Sequence, residues 1–106
     1  MMQFTTKQAD TRTALKATLT TAEGSTPTDV KSVSFRMADT IFTNKIFRAV
    51  DIEALPEVGV IFTAGEVAVP GSYYGEFVVE YNDDKIETFP NQGYIEIQIL
   101  KNLGGV

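Results

Sequence analysis

The chain has no cysteine, no histidine and no tryptophan among its 106 residues. Without cysteine there is no disulfide and no thiolate metal site, and without histidine the commonest metal ligand and the commonest general base are both missing. Nucleophilic dyads and triads that depend on an imidazole are excluded with them. Long apolar runs are lacking too. The opening Met1-Met2-Gln3-Phe4-Thr5-Thr6-Lys7 carries no apolar segment of signal-peptide length, and no window approaches the ~20 apolar residues of a membrane-spanning helix. That reading expects synthesis and first folding in a cytoplasm and no membrane partner. Positive charge is scarce: nine Lys and Arg stand against 14 Asp and Glu, a net charge of -5. Phosphate backbones are repelled on average, which argues against a nucleic-acid partner.

What is present is a globular composition, 43% hydrophobic and 22% charged, in a chain long enough to bury one core without staples. The reading is one domain over residues 1–100 and a flexible tail over 101–106. That tail, Lys101-Asn102-Leu103-Gly104-Gly105-Val106, is either a frayed end or an arm that docks on a neighbour. Alternation at period two dominates the rest. Leu15, Ala17 and Leu19 oppose Lys16, Thr18 and Thr20 in a strand from Ala14 to Thr20, and Val33, Phe35 and Met37 oppose Ser32, Ser34 and Arg36 in one that begins near Val33. Phe4 to Lys7 suits a short first strand, and Ala38 to Asn44 a loop or short edge piece. Lys45 to Ile52 fits a bulged strand or a short helix, with its β-branched content favouring strand. Val58-Gly59-Val60-Ile61-Phe62 reads as a buried strand. Ala64 to Ala68, ahead of the Pro70-Gly71 turn, could hold one helical turn crossing between two sheets.

The last third is the most regular. Tyr73, Gly75, Phe77, Val79 and Tyr81 share one face of a long strand, with Glu76 and Glu80 on the other. A turn at Asn82-Asp83-Asp84 leads to a hairpin partner, Lys85 to Phe89, and a last strand runs from Tyr94 to Leu100 with Ile95, Ile97 and Ile99 inward. Seven or so short strands separated by turn signals predict an all-β fold, an immunoglobulin-like antiparallel β-sandwich. Gly71-Ser72-Tyr73-Tyr74-Gly75 fits a tyrosine corner, in which a Tyr hydroxyl bonds back to upstream backbone. Tyr73 then packs on the core, and Tyr74, of opposite parity, faces the surface.

Residues that could carry chemistry are few. Asp83-Asp84 with Asp39, Asp51 or Glu87 could supply oxygen ligands to calcium, but the spacing matches no ligand loop and a solvated turn is the stronger reading. Glu76 and Glu80, four apart on an outer strand face, suit solubility or edge protection better than paired acid and base work. Ser32 and Ser34 lack the glycine-framed elbow of a nucleophile. No catalytic, cofactor-binding or metal-binding residue is assigned, and the chain is read as not an enzyme. For interaction, Ile41 and Phe42 in a loop, Tyr74, and Leu103 and Val106 in the tail are the candidates, because apolar side chains in loops are hard to explain in an isolated monomer. Burial of Phe42 under a neighbouring strand is the alternative.

An ordered set of segments carries a family resemblance: Lys7-Gln8-Ala9-Asp10, Phe35-Arg36-Met37, Pro70-Gly71-Ser72-Tyr73 and Thr88-Phe89-Pro90-Asn91-Gln92-Gly93-Tyr94. With them the chain resembles, from Phe4 to Ile99, the immunoglobulin-like N-terminal domain of phage baseplate upper proteins. That family usually has Gly before the opening aspartate, where Ala9 stands here, so a left-handed backbone at that position would be strained. The resemblance implies a non-enzymatic phage or prophage structural protein of the baseplate or tail. It would be located in the virion and dock onto other tail or baseplate proteins, as a homo-oligomer or ring, without cofactors. A carbohydrate- or cell-surface-binding module is the alternative, with Tyr74, Phe42 and Phe47 as contributors and the lack of tryptophan against it. An enzyme or inhibitor subunit that only shares the sandwich is a third.

Overall fold

The structure, a computed structural model, describes residues 3–43 and 45–103. The described residues form eight strands: β1 (Gln3–Lys7), β2 (Ala14–Thr18), β3 (Val30–Asp39), β4 (Lys45–Val50), β5 (Glu57–Ile61), β6 (Gly71–Tyr81), β7 (Ile86–Phe89) and β8 (Ile95–Leu100). Six of them make one sheet in the order β1-β8-β6-β3-β4, with β7 also on β6, and β2 with β5 makes the other. The fold is an all-β sandwich. Pairing is antiparallel except between β1 and β8, which run parallel, a feature that alternation along a single strand does not reveal.

The sandwich closes because both sheets carry an apolar inner face. Leu15 and Ala17 of β2 and Val58 and Val60 of β5 are buried against Phe35 of β3, Phe77 of β6 and Ile95 and Ile97 of β8. The Phe35 ring meets those of Phe77 and Phe62 at centroid distances of 5.2 and 5.9 Å. Burying such a ring fully is worth about 1.5–3 kcal/mol. Packing here leaves no slack: a Cβ on Gly75 would lie 2.8 Å from Ile97 Cδ1 and 3.1 Å from the Phe35 ring.

Three sequence expectations are corrected in detail. The strand expected from Val33 starts at Val30, ahead of a register shift between Val30 and Ser32, and continues through Ala38 and Asp39, which pair with Tyr74 and Tyr73. The run Val58 to Phe62 is buried only at alternate positions. Ile61 is 58% exposed, because a two-stranded sheet keeps one face in solvent. At Ala64 to Ala68 there is a turn and no helix. Glu66 N donates to Thr63 O at 3.1 Å, and the Glu66 carboxylate accepts from Thr63 N at 2.8 Å and from Arg48 Nη1 at 3.2 Å. Arg48 also donates to Ile61 O at 2.7 Å, tying the edge of the large sheet to the small one.

The tyrosine corner is formed. Tyr73 Oη donates to Val69 O at 2.7 Å, which anchors the start of β6 after the Pro70-Gly71 turn. Ala9 adopts a φ of 62° and donates its N–H to Val67 O at 3.0 Å, so the left-handed backbone that suits glycine is occupied here by alanine. In the tail, Asn102 Nδ2 donates to Gln8 O at 3.0 Å.

Candidate binding cleft

Strand β6 positions the site. Its register with β3 sets Tyr74 opposite Ala38 and Glu76 opposite Arg36, while β4 sets Lys45 and Phe47 on the other side of the same two β3 residues. Two adjacent cross-strand rows result on the outer face: Lys45, Ala38, Tyr74 and, beside it, Phe47, Arg36, Glu76. Ala38 is the smallest side chain in either row. Large neighbours on both sides of it leave a depression rather than a flat wall, with a volume of about 200 Å³.

Two more rings close one end of it. The turn after β3 folds back through Phe42, whose φ is 58°. Phe42 N donates to Asp39 O at 3.0 Å and Thr43 N to Asp39 Oδ1 at 2.9 Å, so local backbone bonds hold Phe42 in an unfavourable conformation. Tyr94, just before β8, arrives because β8 pairs with the first half of β6. The Tyr74 and Tyr94 rings stack at 5.0 Å and 24°, and Phe42 lies 6.0 Å from Tyr74 and 5.9 Å from Tyr94. Phe42 is 47% and Tyr94 40% exposed. Opposite them the Arg36 guanidinium sits 5.6 Å over the Phe47 ring, itself 64% exposed.

The polar groups around the cleft are uncommitted. Among the described residues the hydroxyls of Tyr74 and Tyr94 make no hydrogen bond, and Arg36, Lys45 and Glu76 make no salt bridge. The other two tyrosines differ. Tyr81 Oη donates to Glu87 Oε1 at 2.7 Å; burial first, and then the bond to and charge of Glu87, push its phenol up to about 12. Burial and the nearby Asp39 raise Tyr73 as well.

Of the interaction candidates read from sequence, the structure brings Phe42 and Tyr74 together. Ile41 lies on the same turn, 76% exposed and outside the cleft lining. Leu103 is fully exposed and takes no part, and Val106 lies outside the described residues. Tyr94, Arg36, Ala38 and Lys45 were not singled out. Tyr94 had a signal: it precedes the inward Ile95, so its parity is outward like that of Tyr74.

The acidic turn behaves as a turn. Asp83 Oδ1 accepts from Lys85 N at 3.1 Å, and Asp84 pairs with Lys31 at 3.7 Å. No group of three or more His, Cys, Asp or Glu able to hold a metal occurs among the described residues. No helix among them is long and apolar enough to cross a membrane.

The class these features define is an all-β sandwich of the immunoglobulin-like kind with an aromatic cleft on its larger sheet. In overall structure the chain is similar to CopC from Methylosinus trichosporium OB3b, with a TM-score of 0.59 over 96% of this chain and 87% of that one at 14% sequence identity. That likeness shows the fold. No protein-family model matches the chain, and no curated protein does. The expectation of a phage baseplate or tail protein is corrected accordingly. It rested on segments that no family model recovers, and the architecture those segments signalled is found in CopC, which is not a phage structural protein. The virion role is withdrawn.

Proposed function

We propose that this chain is a non-catalytic binding module that takes its ligand in the cleft between Tyr74, Tyr94 and Phe47. One observation carries the reading. Aromatic rings, and polar groups that make no salt bridge among the described residues, converge from four separate segments on a depression whose floor, Ala38, is too small to fill it. Ligand sites characteristically combine apolar walls with a few convergent polar groups. A surface that merely kept the sheet soluble would pair its charges or scatter its rings.

The test uses Ala38→Leu, which fills the depression and leaves every ring and charge in place. A random-peptide display library and a glycan array are probed with the native chain and with this variant, folding being checked by circular dichroism. The reading expects ligands whose binding falls at least about tenfold in Ala38→Leu, the order of a lost well-packed contact. Ligands indifferent to the substitution, or none at all, would sink it.

A second reading has its own observation. β4 ends the large sheet and carries the exposed Phe47, and an open edge of that kind is a template for pairing with a second copy. Light scattering over a concentration series decides it, since a monomer at every concentration removes self-association.

A further inference from the structure

The proposal concerns what the cleft binds, and it rests on the binding reading above. The rings around Tyr74 spend their faces on one another, at 5.0 to 6.0 Å and tilts of 24° to 51°. They therefore form a notched ridge, not the flat open plate on which a sugar ring stacks. The uncommitted groups are also unbalanced. The two phenols, the Arg36 guanidinium and the Lys45 ammonium all donate, whereas Glu76 alone is a dedicated acceptor.

A sugar brings one hydrogen with every hydroxyl oxygen, and here only Glu76 and the two phenol oxygens could accept them. A proline-rich chain offers carbonyls and, at each proline, no N–H at all. In its left-handed extended helix those carbonyls are unused internally, and rings project at every third residue. Aromatic-lined grooves receive such chains. The dimensions agree. From β8 across β6 and β3 to β4 is three strand spacings, about 14 Å, the length of four to five residues at about 3.1 Å each. Two prolines three residues apart would seat beside Tyr94 and beside Ala38. Arg36 and Lys45 outnumber Glu76, so a carboxylate on the ligand is favoured at the Phe47 end, in a protein that otherwise repels anions.

We propose that the cleft binds an extended, proline-rich peptide segment bearing an acidic residue next to its proline pair. The experiment is an amide-resolved NMR titration of the full chain with three probes: a capped decaproline, the same peptide with one central aspartate, and a chitohexaose. Shifts expected from the proline probes centre on Arg36, Ala38, Phe47 and Tyr74 and vanish in Ala38→Leu. The aspartate peptide binds about three- to tenfold tighter at low ionic strength, an advantage removed by salt and by Arg36→Gln. Equal affinity of the two peptides overturns the acidic requirement. Absence of cleft shifts with either peptide at concentrations on the order of millimolar overturns the ligand class, and so do cleft shifts with chitohexaose instead. Display-selected ligands that are sensitive to Ala38→Leu but free of proline overturn it too while leaving the binding reading intact. The binding reading falls as well where no ligand binds or where every ligand found is indifferent to Ala38→Leu.

Discussion

Four tyrosines divide this sandwich into two kinds of surface. Tyr73 and Tyr81 lie on the inward parity of β6 and each commits its hydroxyl at 2.7 Å, one to Val69 O and one to Glu87. Tyr74, one residue from Tyr73, and Tyr94 lie on the outward parity, and among the described residues neither hydroxyl makes a hydrogen bond. A polar atom drawn toward the core costs free energy unless it is bonded, so the inner pair had to find partners, whereas solvent satisfies the outer pair. The same strand thus builds a closed face and an open one, and only the open one has bonding capacity left for a ligand.

The largest effect should come from placing a valine on each of the two faces. Gly75→Val drives side-chain atoms into Ile97 and Phe35, where a Cβ alone would stand 2.8 and 3.1 Å away. Both neighbours are fully buried side chains, and forced overpacking of such a core costs about 1–3 kcal/mol. Ala38→Val adds two methyl groups over the open cleft and should shift stability by less than about 0.5 kcal/mol, as surface changes do. Paired urea unfolding curves check both. Equal losses would mean that the cleft floor is core, and the division of faces would be wrong.

Removing single hydroxyls sharpens the division. Tyr81→Phe takes the partner from Glu87 Oε1, while Oε2 still accepts from Ala22 N and Asn91 Nδ2, and should cost about 1 kcal/mol, as should Tyr73→Phe through the lost corner bond. Tyr74→Phe and Tyr94→Phe should each stay within about 0.5 kcal/mol. The Tyr81 phenol, raised to about 12 from 10, also sets a pH signature. Between those values the unfolded chain releases a proton that the folded chain retains, so this contribution is complete below pH 10 and falls away as pH approaches 12. Stability measured across that window should decline less steeply in Tyr81→Phe than in the native chain.

The strands were legible because each is half-buried and alternation reports that directly, as at Leu15, Ala17, Val33, Phe35 and Met37. Tyr73 as a corner and Tyr74 as its outward neighbour were legible for the same reason, parity on one strand. The cleft was not, because it is made by register between strands. Ala38 looked like loop in a segment with the turn residues Asp39, Thr43 and Asn44, yet pairing with the long β6 keeps it in strand and sets it between Tyr74 and Lys45. Tyr94 reaches Tyr74 only through the β6–β8 pairing, and the parallel β1–β8 contact has no local signature. The inference from segments to a phage assembly failed at a different step: turn and core residues such as Pro70, Gly71 and Tyr73 report how a sandwich closes, and function lies in the site that it carries.

The smallest effect separates two of the four non-glycine residues with a left-handed backbone, one on either side of this divide. Ala9, φ 62°, stands where the opening strand meets Val67, and Phe42, φ 58°, stands over the cleft. Each gives up about 1–2 kcal/mol relative to a right-handed residue, and glycine recovers part of that while adding freedom to the unfolded chain. Ala9→Gly should therefore raise stability by about 0.5–1 kcal/mol and leave cleft binding unchanged. Phe42→Gly relieves the same strain but deletes a ring that touches Tyr74 and Tyr94, so its stability should stay within about 0.5 kcal/mol of native while cleft binding is lost. If Phe42→Gly instead unfolds the chain, the ring is a structural plug. If it unfolds nothing and binding survives, the strain at Phe42 serves the turn alone, and the ligand contacts must lie with Tyr74, Phe47 and Arg36.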